Sequence, residues 1–317
     1  MRFFWISSVL ALSVACAGAP PRAPIGADLA PLATEAAEPQ KRPVDVPDDV
    51  VARAQSPFRA KRSSDGQILE QAQILDELSR YDVICLGEAH DAARDHYAEL
   101  AITDGLQRRA RISGRALGVG FEMFQAPYAQ ALYLYGLGHL DDNGLRKRTQ
   151  YDKRWGYPYA YYRPVLALGR AGGLPLKALN APSELTRAVA QMGLAALPPR
   201  LKRQLPAELN LEDADHRAEF DKLMAGHPKS ADGPTDFDNL YAAQVVWDET
   251  MADNASRWVA ERAPLRQLVI LAGSAHCRKQ AIPARIERRQ PLSVANVRLS
   301  AEADDRDGFG YTLLFEN

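Results

Sequence analysis

Two stretches of this sequence place a histidine in the same local setting. Ile84-Cys85-Leu86 runs into Gly87-Glu88-Ala89-His90-Asp91, and Ile270-Leu271-Ala272 runs into Gly273-Ser274-Ala275-His276. Each is an apolar strand, a glycine that permits a sharp exit, two residues and an imidazole. In a parallel sheet His90 and His276 would then lie at the carboxyl edge of the strands, where such sheets open their clefts. A third apolar run, Gly120-Phe121-Glu122-Met123-Phe124, brings Glu122 to the same layer if the strands are neighbours. Two imidazoles with one or two carboxylates, Glu122 and Glu88, could hold a divalent metal such as Zn, Mn or Co, or act as acid and base. One Gly-x-x-His turn would mean little, since a strand-end histidine is commonly just hydrogen-bonded. Two of them, with an acid on a third strand, make a candidate site.

A long helical pattern adds polar groups. At about 100° per residue, Phe237, Tyr241, Gln244, Asp248, Met251, Ala255 and Val259 share one face. Gln244 and Asp248 interrupt an otherwise apolar stripe, and a buried Asp is uncommon unless paired. Either they form a structural pair, or the helix lines the cleft and delivers them to it. Lys153 to Arg163 is dense in aromatic and basic residues, including Tyr157, Tyr159, Tyr161 and Tyr162. Tyr can ligate ferric haem and Arg or Lys can pair its propionates; the plainer alternative is a loop packing aromatics on the core. Cys85 and Cys277 could pair if their strands adjoin, with inert core residues as the default. His96 reads as surface or rim, and His139, His216 and His227 require no function. There is no dinucleotide fingerprint, phosphate loop, G-x-S-x-G or H-E-x-x-H.

These residues need elements to position them. Gln67–Arg80 is amphipathic and helical, and Asp82–Leu86 is a short apolar run typical of a buried parallel strand. Asp91 can cap a helix to about Arg111. Leu117–Phe124, Leu174–Leu179, Leu268–Leu271, Leu292–Leu299 and Tyr311–Phe315 read as strands. Helical patterns fall at Tyr128–Leu137, Tyr161–Ala171, Glu184–Met192 and from Asp236 to about Glu261. The alternation predicts a single α/β domain, a mainly parallel central sheet flanked by helices, spanning 63–317.

The amino terminus reads differently. Arg2 precedes an uncharged apolar run, Phe3–Ala15, too short to span a bilayer and typical of a signal peptide over 1–15. Leu12-Ser13-Val14-Ala15-Cys16 resembles a bacterial lipobox, which makes Cys16 the lipidated first residue of a mature chain; acyl chains anchor by burying their CH₂ groups. Ordinary cleavage would instead leave a soluble periplasmic protein. The stretch 16–62 is rich in Ala, Pro and charge and reads as a flexible tether. Across 317 residues, 39 Lys+Arg balance 40 Asp+Glu. That balance gives no electrostatic footprint for nucleic acid.

Taken together, Leu86–Asp91, Gly120–Phe124, Leu179-Asn180-Ala181-Pro182, the Gln244…Asp248-Glu249…Met251-Ala252 helix and Ala272–His276 with Ile282-Pro283 resemble the ChaN-like haem-binding uptake lipoproteins. That family sits within a wider group that includes Tiki proteases, TraB and erythromycin esterases. The match spans about Tyr81 to Pro283. The resemblance implies a haem-binding envelope protein in iron acquisition, with a cofacial haem pair across a homodimer as one arrangement. Its lipobox pattern implies an outer-membrane lipoprotein facing the periplasm. The haem would meet His90, Glu88, Glu122, Gln244, Asp248, His276 and a Tyr among 157, 159, 161 and 162. The Tiki relatives imply an alternative, metal-dependent hydrolysis by His90, His276 and Glu122.

Overall fold

The computed structural model describes residues 46–225, 236–299 and 308–316. The signal peptide, Cys16, most of the expected tether and His227 lie outside them. Eight strands are present among the described residues: β1 Phe58–Arg62, β2 Ile68–Leu69, β3 Val83–Glu88, β4 Ala116–Gln125, β5 Leu176–Asn180, β6 Arg266–Gly273, β7 Val294–Arg298 and β8 Tyr311–Phe315. They form one sheet in the order β2-β1-β8-β7-β3-β6-β4-β5. The six strands from β8 to β5 are mutually parallel, and β1 and β2 add an antiparallel edge. The expected fold class, a mainly parallel α/β sheet with flanking helices, therefore holds.

The central strands are buried on both faces, which is why they read as apolar runs rather than alternations. Along β3, Ile84 and Leu86 pack with helices Gln71–Leu78, Ala93–Ser113 and Tyr159–Gly172. Val83 and Cys85 point the other way, into helices Phe237–Ala260 and Ile282–Arg289. This is the period of two that a pleated strand imposes. The register matters most for function. Glu88 lies opposite Gly273 in the β3–β6 pair, and Phe121 opposite Leu271 in β4–β6. Three strands distant in sequence thus end at one level.

Several local expectations are corrected. Ile68-Leu69 belongs to a strand paired with β1, and the helix begins only at Gln71, where Glu70 and Gln73 close a reciprocal cap. Asp91 does not cap the next helix: that helix starts at Ala93 behind Ala92. Asp95 Oδ2 instead accepts the Ala89 N–H at 2.8 Å. Phe237, at the outer end of the long helix stripe, is exposed. The folded part also begins before residue 63. Val51 is buried on a short helix, Val50–Arg53, and β1 pairs along its whole length with β8, burying Phe58 and Ala60. A low density of large apolar residues concealed this, because a strand next to the sheet edge needs only two of them facing inward. Cys85 and Cys277 form a disulfide, replacing the default of inert core residues; it joins β3 to the short helix Ser274–Cys277 across 192 residues of chain.

Candidate functional site

The carboxyl ends of β3, β4 and β6 gather the predicted residues. Gly273 is the point of closest approach. A Cβ there would lie 2.9 Å from both Cε1 and Nε2 of His90 and 3.7 Å from Oε2 of Glu122. Only glycine leaves room for the imidazole, and its own N–H donates to that same Glu122 oxygen at 2.8 Å. From the other side His276 Nε2 lies 3.3 Å from Glu122 Oε1. His90 and His276 therefore both lie in the neighbourhood of the Glu122 carboxylate.

Each imidazole is held at its other nitrogen by a second carboxylate. His90 Nδ1 is 2.6 Å from Glu88 Oε1, and His276 Nδ1 is 2.5 Å from Asp248 Oδ1. The amide of Gln244 lies beside this second pair, 3.2 Å from His276 Nδ1 and 3.4 Å from Asp248 Oδ2. The long helix thus lines the site through Gln244 and Asp248, one turn apart, as its interrupted stripe suggested.

Two histidines expected to be inert extend these pairs inward. His96, expected at the surface, is fully buried on helix Ala93–Ser113. Its Nδ1 lies 2.9 Å from Glu88 Oε2 and 2.9 Å from Glu99 Oε2, and its Nε2 lies 3.1 Å from the His90 carbonyl oxygen. His216 donates from Nε2 to Asp248 Oδ2 at 3.0 Å, while Arg285 donates to its Nδ1 at 3.2 Å. The sequence held a signal for the first of these. His96, Glu99, Thr103, Leu106 and Ala110 recur at spacings of three and four, the buried face of a helix. His216 and Arg285 carried no such signal, since their contact depends on how two separate helices pack.

Charges in the site are mutually stabilised. Burial opposes ionisation of Glu88, but His96 and His90 overcome it and hold its carboxyl down to about 2. Burial likewise opposes charging His276, yet Glu122 and Asp248 raise its pKa well above the ordinary value. His90 is raised as well: its desolvation is outweighed by the bond to Glu88 and the charge of Glu122. Glu99 goes the other way, pushed up to about 8 by burial and by Glu88.

The four tyrosines separate by role. Tyr159 donates to Asp142 at 2.9 Å, away from the strand ends. Tyr162 is fully buried and donates to Glu88 Oε1 at 3.0 Å. Tyr161 stacks on His96 with centroids 4.6 Å apart and lies 3.4 Å from the Asp91 carbonyl oxygen. Tyr157 is half-buried, packs on His90 at 4.6 Å, and its hydroxyl has no hydrogen-bond partner among the described residues. Trp155 closes edge-on against the same imidazole at 5.0 Å.

Against known proteins, the model of the haem-binding uptake, Tiki superfamily, ChaN family matches residues 74–286. The chain belongs to that family. Its fold is similar to that of ChaN of Campylobacter jejuni, solved with cofacial haem, at a TM-score of 0.67 and 19% identity, covering 82% of this chain and 97% of that one. An open-conformation mutant of the erythromycin esterase EreC is similar at a TM-score of 0.45 and 16% identity, over 81% and 82%. The RRSP toxin effector domain of Vibrio vulnificus is similar at 0.41 and 13%, over 77% of this chain and 37% of that one. No curated protein matches. What this ChaN-family member shares with Campylobacter ChaN at that identity is the fold; the side chains described above are its own.

Proposed function

We propose that this chain binds haem at the carboxyl rim of its sheet, with Tyr157 as the iron ligand and His90 beside it, and serves haem or iron acquisition. Family membership supports haem as the ligand. The single observation that carries the site is Tyr157, whose half-exposed phenol has no hydrogen-bond partner among the described residues and packs on His90, whose Nε2 has none there either. Tyr159, Tyr161 and Tyr162 are each engaged elsewhere. Haem needs an iron ligand, aromatic walls and a cation for its propionates. Tyr157 and Trp155 provide the first two, and Arg154, which bonds Gln125 at the end of β4 and Glu184, is a basic group at the same rim. A separate open cavity of about 540 Å³ lies between Pro127, Pro182, Leu205 and Asn254. It presents no Tyr or His and fits haem less well.

Bound iron would supply the affinity of a metal–phenolate bond; the chain's own part is to position. Burial and the nearby Asp91, Glu88 and Glu122 raise the Tyr157 pKa, so its hydroxyl is protonated before ligand arrives. Glu88 fixes the His90 ring so that Nε2 faces the rim. The Cys85–Cys277 disulfide favours an oxidising compartment, which suits an envelope protein lipidated at Cys16. Among the described residues no helix is long and apolar enough to cross a membrane. In Campylobacter ChaN haem is bound cofacially; we extend that arrangement to a homodimer here.

Haemin added at micromolar concentration should give a Soret band that shifts or falls at least tenfold in affinity in Tyr157→Phe. A folded wild-type chain with no Soret change would overturn the proposal. One observation favours a second reading, metal-assisted hydrolysis. His90 and His276 each have a carboxylate on Nδ1, the way metal-bound histidines are commonly oriented, and both feel the charge of Glu122. Stoichiometric metal lost on changing His276, with ester or amide cleavage lost alongside, would favour it.

A further inference from the structure

Glu88, His96 and Glu99 form a second cluster behind the rim. Each offers one ligand atom, and these atoms lie within 4.8 Å of one another. All three side chains are fully buried. The hydrogen-bond roles are constrained. A backbone carbonyl only accepts, so His96 Nε2, facing the His90 oxygen, carries a hydrogen. In the neutral imidazole Nδ1 is then a lone pair, and it faces a carboxylate oxygen of Glu88 and another of Glu99, each at 2.9 Å. Acceptors meet acceptors. The second oxygen of Glu99, which is buried, has no hydrogen-bond partner among the described residues, and neither has the hydroxyl of Thr103 one turn on. Among the described residues no Lys or Arg pairs with either acid. Either a proton, which against the cost of burial Glu88 and Glu99 favour on His96 by raising its pKa well above the ordinary value, or a metal cation must stand between them.

The opposite side of the site shows how the fold closes such an arrangement when it uses its own charge. There Asp248 bridges His276 and His216, and the Arg285 guanidinium supplies the cation at the far nitrogen. On this side the far nitrogen of His96 meets the His90 carbonyl oxygen, and Glu99 adds a second carboxylate at the nitrogen that already faces Glu88.

We propose that Glu88, His96 and Glu99 bind one first-row divalent cation, Mn²⁺ or Fe²⁺, at a site separate from the haem rim. At metal–ligand bonds of ~2.0–2.1 Å, atoms 2.9 Å apart subtend about 90° at the ion. That is the angle of an octahedral site, not of tetrahedral zinc. A donor set of one imidazole and carboxylate oxygens suits Mn²⁺ or Fe²⁺, and Glu99 has its second oxygen available to chelate. The outer shell is already in place. The His90 carbonyl holds the His96 tautomer, Tyr162 donates to Glu88, and Tyr161 stacks on the ring. Two carboxylates balance the charge of the cation. Because the other Glu88 oxygen holds His90 at 2.6 Å, loading the site also steadies the rim imidazole. The alternative is that protons alone fill the gap.

The test uses the full chain, stripped with a chelator and reloaded with MnCl₂, or anaerobically with Fe²⁺, without haem. Expected are one ion per chain retained through desalting and a raised melting temperature. The Mn²⁺ pulsed EPR signal should show coupling to a single imidazole nitrogen. The near-isosteric Glu99→Gln, folded by circular dichroism, should lose at least ~100-fold in affinity, while His276→Ala should still bind. A folded wild-type chain that retains neither ion overturns the proposal, as does unaltered binding in Glu99→Gln. Coupling to two imidazoles also overturns it and moves the ion to His90 and His276. The EPR result needs no variant, so it decides even if Glu99→Gln fails to fold. Since haem is absent throughout, the outcome is independent of the Soret experiment.

Discussion

The His90 and His276 halves of the site are built on one plan: a Gly-x-x-His turn, a buried carboxylate on Nδ1, and a second buried histidine on the carboxylate's other oxygen. They differ in what stands behind. Arg285 backs the His276 half, so Asp248 and its two imidazoles close into a balanced network. Glu99 backs the His90 half, where no guanidinium stands among the described residues, and burial with Glu88 pushes its carboxyl up to about 8. The exposed tips differ in the same sense: the His90 side chain is 22% exposed and that of His276 11%. One half is a closed support. The other is open at the rim and unbalanced at its base, where a ligand or ion would have most to gain.

That contrast is open to attack, most severely at Asp248. Asp248→Ala takes the shared carboxylate from two buried imidazoles and should cost about 3–5 kcal/mol, the scale for breaking a buried charged pair; urea unfolding measures it. A much smaller loss would mean that the His276 half is not the rigid support. Next in size is the disulfide. Cys277→Ser should cost about 2–4 kcal/mol, since the bond closes a long loop in the unfolded chain, and its amide-exchange signature should concentrate around His276 rather than His90. Gly273→Ala pushes a methyl against the His90 ring and should cost about 1–3 kcal/mol by overpacking. Here the His90 imidazole resonances should move more than those of His276.

The smallest effect is a pH slope. His276 is raised in the folded state, so its contribution is complete below the ordinary value of ~6.5 and is lost as pH climbs through the raised one. Asp248 is depressed, so its contribution is complete above ~3.9 and is lost as pH falls through the lowered value. Stability should therefore decline on the alkaline side in the wild type and less so in His276→Gln, a difference visible in melts from pH 6 upward. Equal slopes would show that the His276 charge is not held by this network.

The parts of the molecule legible in its sequence were those set by short-range pattern. β3, β4 and β6 announced themselves as apolar runs because parallel strands are covered on both faces. Their glycine exits marked where the side chains would emerge. The convergence of His90, Glu122 and His276 followed only if β6 lay between β3 and β4, which no local pattern specifies. What escaped detection depended on contacts between distant segments. β1 is the penultimate strand, beside the two-residue β2, in a sparse, charged stretch. The Cys85–Cys277 bond required a short helix at the end of β6 to fold over β3. His96 was misplaced although its helix periodicity was readable, because polar residues on a buried face look like surface until their partners are known. Tyr157 could not be told from its neighbours by composition; the hydroxyl partners of the other three distinguish it.

One consequence follows from the edge of the sheet. β1 runs antiparallel to β8, and Phe58 at its start pairs with Phe315 at the far end of β8. Just upstream, Asp48 reaches Arg163 in the first turns of the Tyr159–Gly172 helix. The polypeptide therefore joins the sheet at the end from which His90 and His276 emerge. A mechanical pull on residues before 46 would load that end first, and leave the amino ends of the parallel strands on the slack side.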